Sequence, residues 1–248
     1  MSAERSCTAA VPRALRGTAA VVFDTDGVIT DSARVHAAAW KTAFDAVLSL
    51  RGQRSFDAEG EYLRYVDGRS RLDGARVFLE SRGLHPSEAD VQAVAADKER
   101  LFTEAVRDHG IDAYPGTVRL LGVLRSAGLA LAAASASRHA RELLEHAGVR
   151  DLFDTLVDGT EAARLHLPGK PDPALFLEAA RRLGIPAARA AVVEDALAGV
   201  EAGRRGGFAV VIGVDRAHTR GTRAGLLEHG ADLVVDDLAE LLASEDRR

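Results

Sequence analysis

Cysteine is almost missing from this chain: Cys7 is the only one in 248 residues. A single thiol excludes an intrachain disulfide and a cysteine-rich metal centre, and it is compatible with a reducing compartment. Long apolar runs are missing too, with no stretch near the roughly 18 residues of a membrane span. There is no basic excess, because 32 Lys and Arg face 37 Asp and Glu for a net charge of -5. Nucleic acids and anionic membranes need a positive field, so neither is expected as a partner. Residues 1–17 carry Arg5, Arg13 and Arg16 but lack the apolar core of a signal peptide, and read as a flexible cytoplasmic tail. No repeat or low-complexity tract interrupts a composition that is 47% hydrophobic and 28% charged. A cytoplasmic monomer acting on a small molecule is the expectation.

What is present centres on Val21-Val22-Phe23-Asp24-Thr25-Asp26-Gly27-Val28-Ile29-Thr30-Asp31. An apolar, β-branched run breaking into Asp-x-Asp-Gly predicts a buried strand that delivers two carboxylates to its C-terminal edge, where α/β sheets keep their ligands. Asp31-Ser32 can cap a following helix whose stripe includes Val35, Ala39 and Val47. A loop over residues 50–60, a polar turn at Asp67–Gly74, a helix over Ala75–Ser81 and another over Ser87–Arg107 follow, with no convincing strand between Ala33 and Ile111. From Tyr114 onward strands and helices alternate, with strands at Leu129–Ala134, Phe153–Val157, Ala190–Val193, Phe208–Val214 and Leu233–Val235. The fold expected is α/β, a Rossmann-like, doubly wound parallel sheet over residues 18–33 and 112–248. Residues 34–111 form a helical insertion, hinged near Ala33–Val35 and Ile111–Gly116.

Polar residues mark the predicted strand ends or the turns after them: Asp24 and Asp26, Ser135, Lys170, and Glu194-Asp195. Singly, each has an ordinary structural role as a turn, a helix cap, a solvent-facing lysine or a partner of a helix dipole. Jointly they converge on one edge of a doubly wound sheet. Two carboxylates about 4 Å apart repel by roughly 4 kcal/mol at an effective dielectric of 20, so a cation is expected with them. Oxygen donors without His or Cys favour Mg2+ over Zn2+, one ion per site, held by Asp24, Asp26, Glu194 and Asp195. A carboxylate facing a phosphate is a nucleophile, and a second one two residues later can move the proton. Ser135 and nearby N–H groups can hold phosphate oxygens while Lys170 offsets charge. The remaining histidines are scattered without ligand spacing, although His36 lies close enough in sequence to support Asp26.

Phe23-Asp24-Thr25-Asp26-Gly27-Val28, Ser135, Lys170-Pro171-Asp172-Pro173 and Glu194-Asp195-Ala196-Leu197-Ala198-Gly199-Val200 resemble, in order, the four motifs of the haloacid dehalogenase superfamily of phosphotransferases. The resemblance spans Ala19 to Asp236 and implies a Rossmann-like core, a helical cap inserted after the first motif, and Mg2+-dependent transfer through Asp24. Within the superfamily, Asp24–Trp40 with His36, and Ala134-Ser135-Ala136-Ser137, are most similar to the β-phosphoglucomutases. Gly68, Ser70 and Arg71 resemble that family's substrate loop, and Lys98 falls near its cap lysine. Arg138-His139 stands where Lys-Asn is usual, and the stretch between Leu50 and Gly68 is longer than usual. The resemblance implies that a phosphorylated sugar is bound by these residues and interconverted between its 1- and 6-phosphates through a bisphosphate. A sugar-phosphate phosphatase using the same Asp24 is the alternative.

Overall fold

The computed structural model describes residues 11–218 and 220–243. Its strands are β1 (Ala20–Asp24), β2 (Ala130–Ala134), β3 (Thr155–Val157), β4 (Ala190–Glu194), β5 (Val210–Val214) and β6 (Leu233–Val235). Its helices are α1 (Ala33–Ser49), α2 (Arg71–Ser81), α3 (Glu88–His109), α4 (Pro115–Ser126), α5 (Ala140–His146), α6 (Gly159–Arg164), α7 (Ala174–Leu183), α8 (Leu197–Arg205), α9 (Arg220–Glu228) and α10 (Glu240–Ala243).

The six strands form one parallel sheet in the order β3-β2-β1-β4-β5-β6. The order reverses between β1 and β4, which opens a crevice outside their carboxyl ends. β1 shows why the sheet lies in the middle of the molecule. Val21 and Phe23 enter the apolar layer that contains Leu120, Leu121 and Leu131, whereas Ala20 and Val22 enter the opposite layer with Phe176 and Val192. Successive side chains of a strand point to opposite faces, so a strand covered on both sides must be apolar throughout. Every residue of β1 is buried, and its last residue, Asp24, is therefore presented within protein.

Helices α1–α3 and a short π-helical turn at Tyr62–Val66 surround a separate apolar cluster that includes Trp40, Phe44, Phe56, Phe78 and Val91. Among the described residues no strand lies between Ala33 and Ile111. Helix α3 opens with the reciprocal Ser87–Asp90 capping box. The chain enters and leaves this insertion along one seam: the Asp31 N–H donates to Asp112 O at 3.0 Å and the Tyr114 N–H to Ile29 O at 2.9 Å. Ala33–Val35, near which a hinge is expected, forms the first turn of α1 directly after Ser32. A small cluster of Ala39, Phe102, Ile111 and Leu143 ties the insertion to α5.

Several expectations change in detail. The tail expected over residues 1–17 lies outside the described residues as far as residue 10; beyond that it is anchored, because Leu15 is fully buried in the sheet layer. Helix α2 starts at Arg71 rather than Ala75, since Ser70 caps it by accepting from the Asp73 N–H at 3.3 Å. Helices α6 and α9 were not foreseen. The first has 6 residues, fewer than two helical turns, and the second contains Gly221 and Gly225, which lower helix propensity. No helix of the described residues is long and apolar enough to cross a membrane.

Candidate active site

The floor of the crevice is a buried charge cluster. Register sets Asp24 beside Ala134 of β2, while Phe23 pairs with Val193, the residue before Glu194. Lys170 Nζ reaches between the two strand ends and donates to Asp24 Oδ1 at 2.5 Å and Glu194 Oε1 at 2.6 Å. The aromatic ring of Phe176 lies 4.8 Å from the same ammonium. Glu194 Oε2 accepts from the Asp195 and Ala196 N–H groups at 2.6 and 3.1 Å, which fixes its orientation. Two glycines make room for these carboxylates. A Cβ on Gly199 would stand 1.6 Å from Glu194 Oε1, and one on Gly27, whose φ is +79°, would stand 1.8 Å from Asp195 Oδ2.

One ammonium does not neutralise this cluster. Burial, then the charge of Glu194, pushes the Asp24 carboxyl well above the usual range, and burial, then Asp67, does the same to Asp195. Lys170 is held above its ordinary value because Asp24 and Glu194 outweigh its burial. Asp24, Glu194 and Asp195 each offer an oxygen, all within 4.8 Å of one another. A hard divalent cation fits such an all-oxygen, acidic donor set. Asp26, expected as a fourth ligand, does not join through its carboxylate: Oδ1 accepts from Ser32 at 2.5 Å and faces His36 Nε2 at 3.1 Å, and Oδ2 accepts from Ser135 at 3.2 Å.

Those bonds make Asp26 a separately prepared carboxylate. Lys98 Nζ lies 2.8 Å from His36 Nδ1. An ammonium has no acceptor, so Nδ1 is the acceptor and the proton of the neutral ring sits on Nε2, donated to Asp26. Burial, then the charge of Lys98, keeps His36 below its ordinary value and thus neutral. Burial alone would raise Asp26, but His36, Ser32 and Lys98 together hold it well below the usual carboxylate range. Lys98, buried in α3 with its Nζ 4.5 Å from the Phe102 ring centre, falls to about 8. His36 and Lys98 belong to the insertion and Asp26 to the sheet edge, so this chain of contacts exists only when the two are together.

A cavity of about 230 Å³ lies between them. Asp24, Asp26, Lys170 and Asp195 line one side; His36, Trp40, Gly68, Ser70, Arg71 and Lys98 line the other; Ala136, Ser137 and Arg138 close one flank. Two expected binding residues stand elsewhere. The Ser135 hydroxyl is spent on Asp26 and on accepting the Ser137 N–H at 3.0 Å, and His139 faces Glu99 at 3.0 Å rather than the cavity. Ser32, Asp67, Arg69 and Glu99 belong to the site and were not anticipated. Asp67 carries a carboxyl raised to about 7 by removal from water, then by Glu194. Gly68, beside it, seats the insertion on the sheet edge: with φ of +70°, a Cβ there would stand 2.8 Å from the Ala196 Cβ. Only Ser32 carried a local signal, and its position after Asp31 reads as a helix cap.

This arrangement matches a known family. Residues 18–207 fit the family model of haloacid dehalogenase-like hydrolases. The chain belongs to that family. It is 41% identical to the β-phosphoglucomutase of Mycobacterium tuberculosis (strain CDC 1551 / Oshkosh) over 96% of its own length and 95% of that protein's. Among solved structures it superposes on a hydrolase from Pseudomonas syringae with a TM-score of 0.77 at 25% identity, covering 92% of this chain and 98% of that one. It also superposes on a β-phosphoglucomutase from Clostridium difficile with a TM-score of 0.71 at 27% identity, covering 90% and 93%. As a member of the haloacid dehalogenase superfamily the chain is an enzyme, a phosphotransferase or phosphatase, and its sheet order is that of the Rossmann-like class.

Proposed function

We propose that the chain is a β-phosphoglucomutase, interconverting β-D-glucose 1-phosphate and glucose 6-phosphate with Mg2+ held by Asp24, Glu194 and Asp195. The observation that carries this reading is the contact chain Lys98–His36–Asp26. It prepares the proton-moving carboxylate only when the insertion covers the cavity, so proton transfer is tied to the exclusion of bulk water, which favours a sugar hydroxyl over water as the acceptor. The 41% identity to a β-phosphoglucomutase over nearly the whole chain supports it.

In the first half-reaction the phosphoryl group on Asp24 is attacked by the 6-hydroxyl of glucose 1-phosphate. The bond from phosphorus to the Asp24 oxygen breaks, the bond to O6 forms, and Asp26 takes the O6 proton. The 1,6-bisphosphate then turns round. Asp24 attacks the 1-phosphate, the bond to O1 breaks, and Asp26 returns its proton to O1, which regenerates the phosphorylated Asp24. Lys170 occupies Oδ1 of Asp24 and offsets the charge that builds there. Bound Mg2+ supplies the further positive charge that the carboxylates and phosphoryl oxygens need in order to approach. Arg71 on the insertion and Ser137 and Arg138 on the core line the same cavity, which supports a role for them in holding the phosphate that is not reacting.

The test is a coupled assay with β-glucose 1-phosphate, Mg2+ and a trace of the 1,6-bisphosphate. Glucose 6-phosphate without matching release of free phosphate is expected. Stoichiometric phosphate without isomer would replace this reading by a sugar-phosphate phosphatase on the same residues.

A further inference from the structure

The turn that follows β1 is gripped from the far half of the sheet. Arg216, just past the end of β5, donates from Nε to Gly27 O at 2.6 Å, from Nη1 to Asp236 O at 3.2 Å and from Nη2 to Val28 O at 3.4 Å. Its guanidinium carbon lies 3.6 Å from the centre of the Tyr114 ring, immediately before α4. Only 16% of the Arg216 side chain is exposed, and the Asp237 carboxylate beside it stays 3.8 Å from Nη1. Three carbonyls in three directions suit the fixed fork of a guanidinium, and a lysine ammonium on its flexible stem would not reproduce them.

Gly27, which takes the shortest of these bonds, faces the acidic cluster. At its φ of +79° a Cβ would stand 1.8 Å from Asp195 Oδ2 and 2.6 Å from Asp195 Cγ, so the Asp195 carboxylate rests directly against the Gly27 backbone. Lys170 orients Asp24 and Glu194, but among the described residues no cationic side chain is paired with Asp195. Asp26, on the other side of Gly27 in the chain, is held independently by Ser32, His36 and Ser135.

We propose that Arg216 is a positioning residue of the metal centre: its three bonds hold the Gly27 turn against Asp195 and keep that carboxylate aimed at the cation it shares with Asp24 and Glu194. This role rests on the assignment of Mg2+ to those three carboxylates and does not depend on which sugar is the substrate. Without the fork the turn can move off the sheet edge, Asp195 gains rotamer freedom, and cation binding must then order it. Asp24, Asp26 and Lys170 keep their own contacts, so the loss falls on metal affinity and not on the chemical step. An arginine that only satisfied backbone carbonyls would contribute to stability alone. Thr117 supplies the comparison, because its hydroxyl donates to Val28 O at 2.7 Å and so holds the same turn one residue further from Asp195.

The experiment is calorimetric titration of Mg2+ into the substrate-free full chain, with denaturant unfolding of the same metal-free samples. Arg216→Gln is expected to bind Mg2+ about ten-fold more weakly than wild type. Its turnover at saturating Mg2+, whichever product forms, should stay close to wild type while the Mg2+ concentration for half-maximal rate rises in step with the calorimetric constant. Arg216→Lys keeps the stem and the charge but not the fork, and its Mg2+ affinity should lie nearer to Arg216→Gln than to wild type; it carries the same reading should Arg216→Gln fail to fold. Thr117→Val should lower unfolding stability and leave Mg2+ affinity unchanged. Wild-type Mg2+ affinity in both Arg216 variants, or an equal weakening in Thr117→Val, would overturn the positioning role. A wild-type chain that takes up no Mg2+ would overturn it together with the metal assignment, and the wild-type titration alone tells these failures apart.

Discussion

Only three lysines occur in the chain, Lys41, Lys98 and Lys170, and two of them face the same cavity from opposite sides. Both are buried, yet their environments drive them in opposite directions. Lys170 sits between Asp24 and Glu194 and stays charged at any physiological pH, because two carboxylates outweigh the cost of burial. Lys98 donates to a neutral imidazole and falls to about 8, because burial is only partly repaid by Glu99 and Asp26. The sheet edge thus carries fixed charge, and the insertion carries a charge that depends on pH and on its own placement. Phosphoryl chemistry belongs to the first, and the conditions under which it proceeds belong to the second.

Substitutions that sharpen this contrast begin at the sheet edge. Asp24→Ala removes the proposed nucleophile, and transfer should fall by about 10⁴-fold or more, read as initial rate with thermal melting as a folding control. Lys170→Met leaves Asp24 and Glu194 buried without their cation. A loss of ~3–5 kcal/mol in denaturant unfolding is expected without added metal, smaller when Mg2+ is present. On the insertion, Lys98→Met should keep the fold and lower transfer by about 10²-fold through Asp26. The wild-type rate should decline as pH rises through about 8, where the Lys98 ammonium loses its proton and His36 loses its tautomer lock; the pH-rate profile of Lys98→Met should lack that step. Smallest in its effect on turnover at saturating metal is Gly199→Ala. Its Cβ displaces Glu194, and calorimetric titration should show Mg2+ affinity weakened about ten- to hundred-fold.

The same division explains what the sequence makes legible. Asp24, Lys170 and Glu194 stand out because a buried strand, or the turn beside it, that ends in charge is locally abnormal, and a parallel, doubly wound sheet could be anticipated from the alternation of strands and helices. Ser135 is placed correctly at the end of β2, but its partner, Asp26, lies 109 residues away and no local pattern marks the bond. Ser32 looks like a helix cap and is instead committed to Asp26. Glu99 sits among the polar residues of α3 with nothing to distinguish it from Asp97 or Glu104; its role depends on how the helix lies against α5. Asp67 reads as a turn residue until Gly68 brings the insertion onto Ala196. Residues that act within one element are visible in one element, and those that act between the two parts appear only when the parts meet.

The most direct measurement is a single turnover of enzyme carrying radiolabelled phosphate on Asp24, mixed with β-glucose 1-phosphate and quenched within milliseconds. Label should leave the protein as sugar bisphosphate, with little inorganic phosphate, and Asp24→Ala should accept no label. Label recovered chiefly as inorganic phosphate, or a labelled Asp24→Ala protein, would contradict the account.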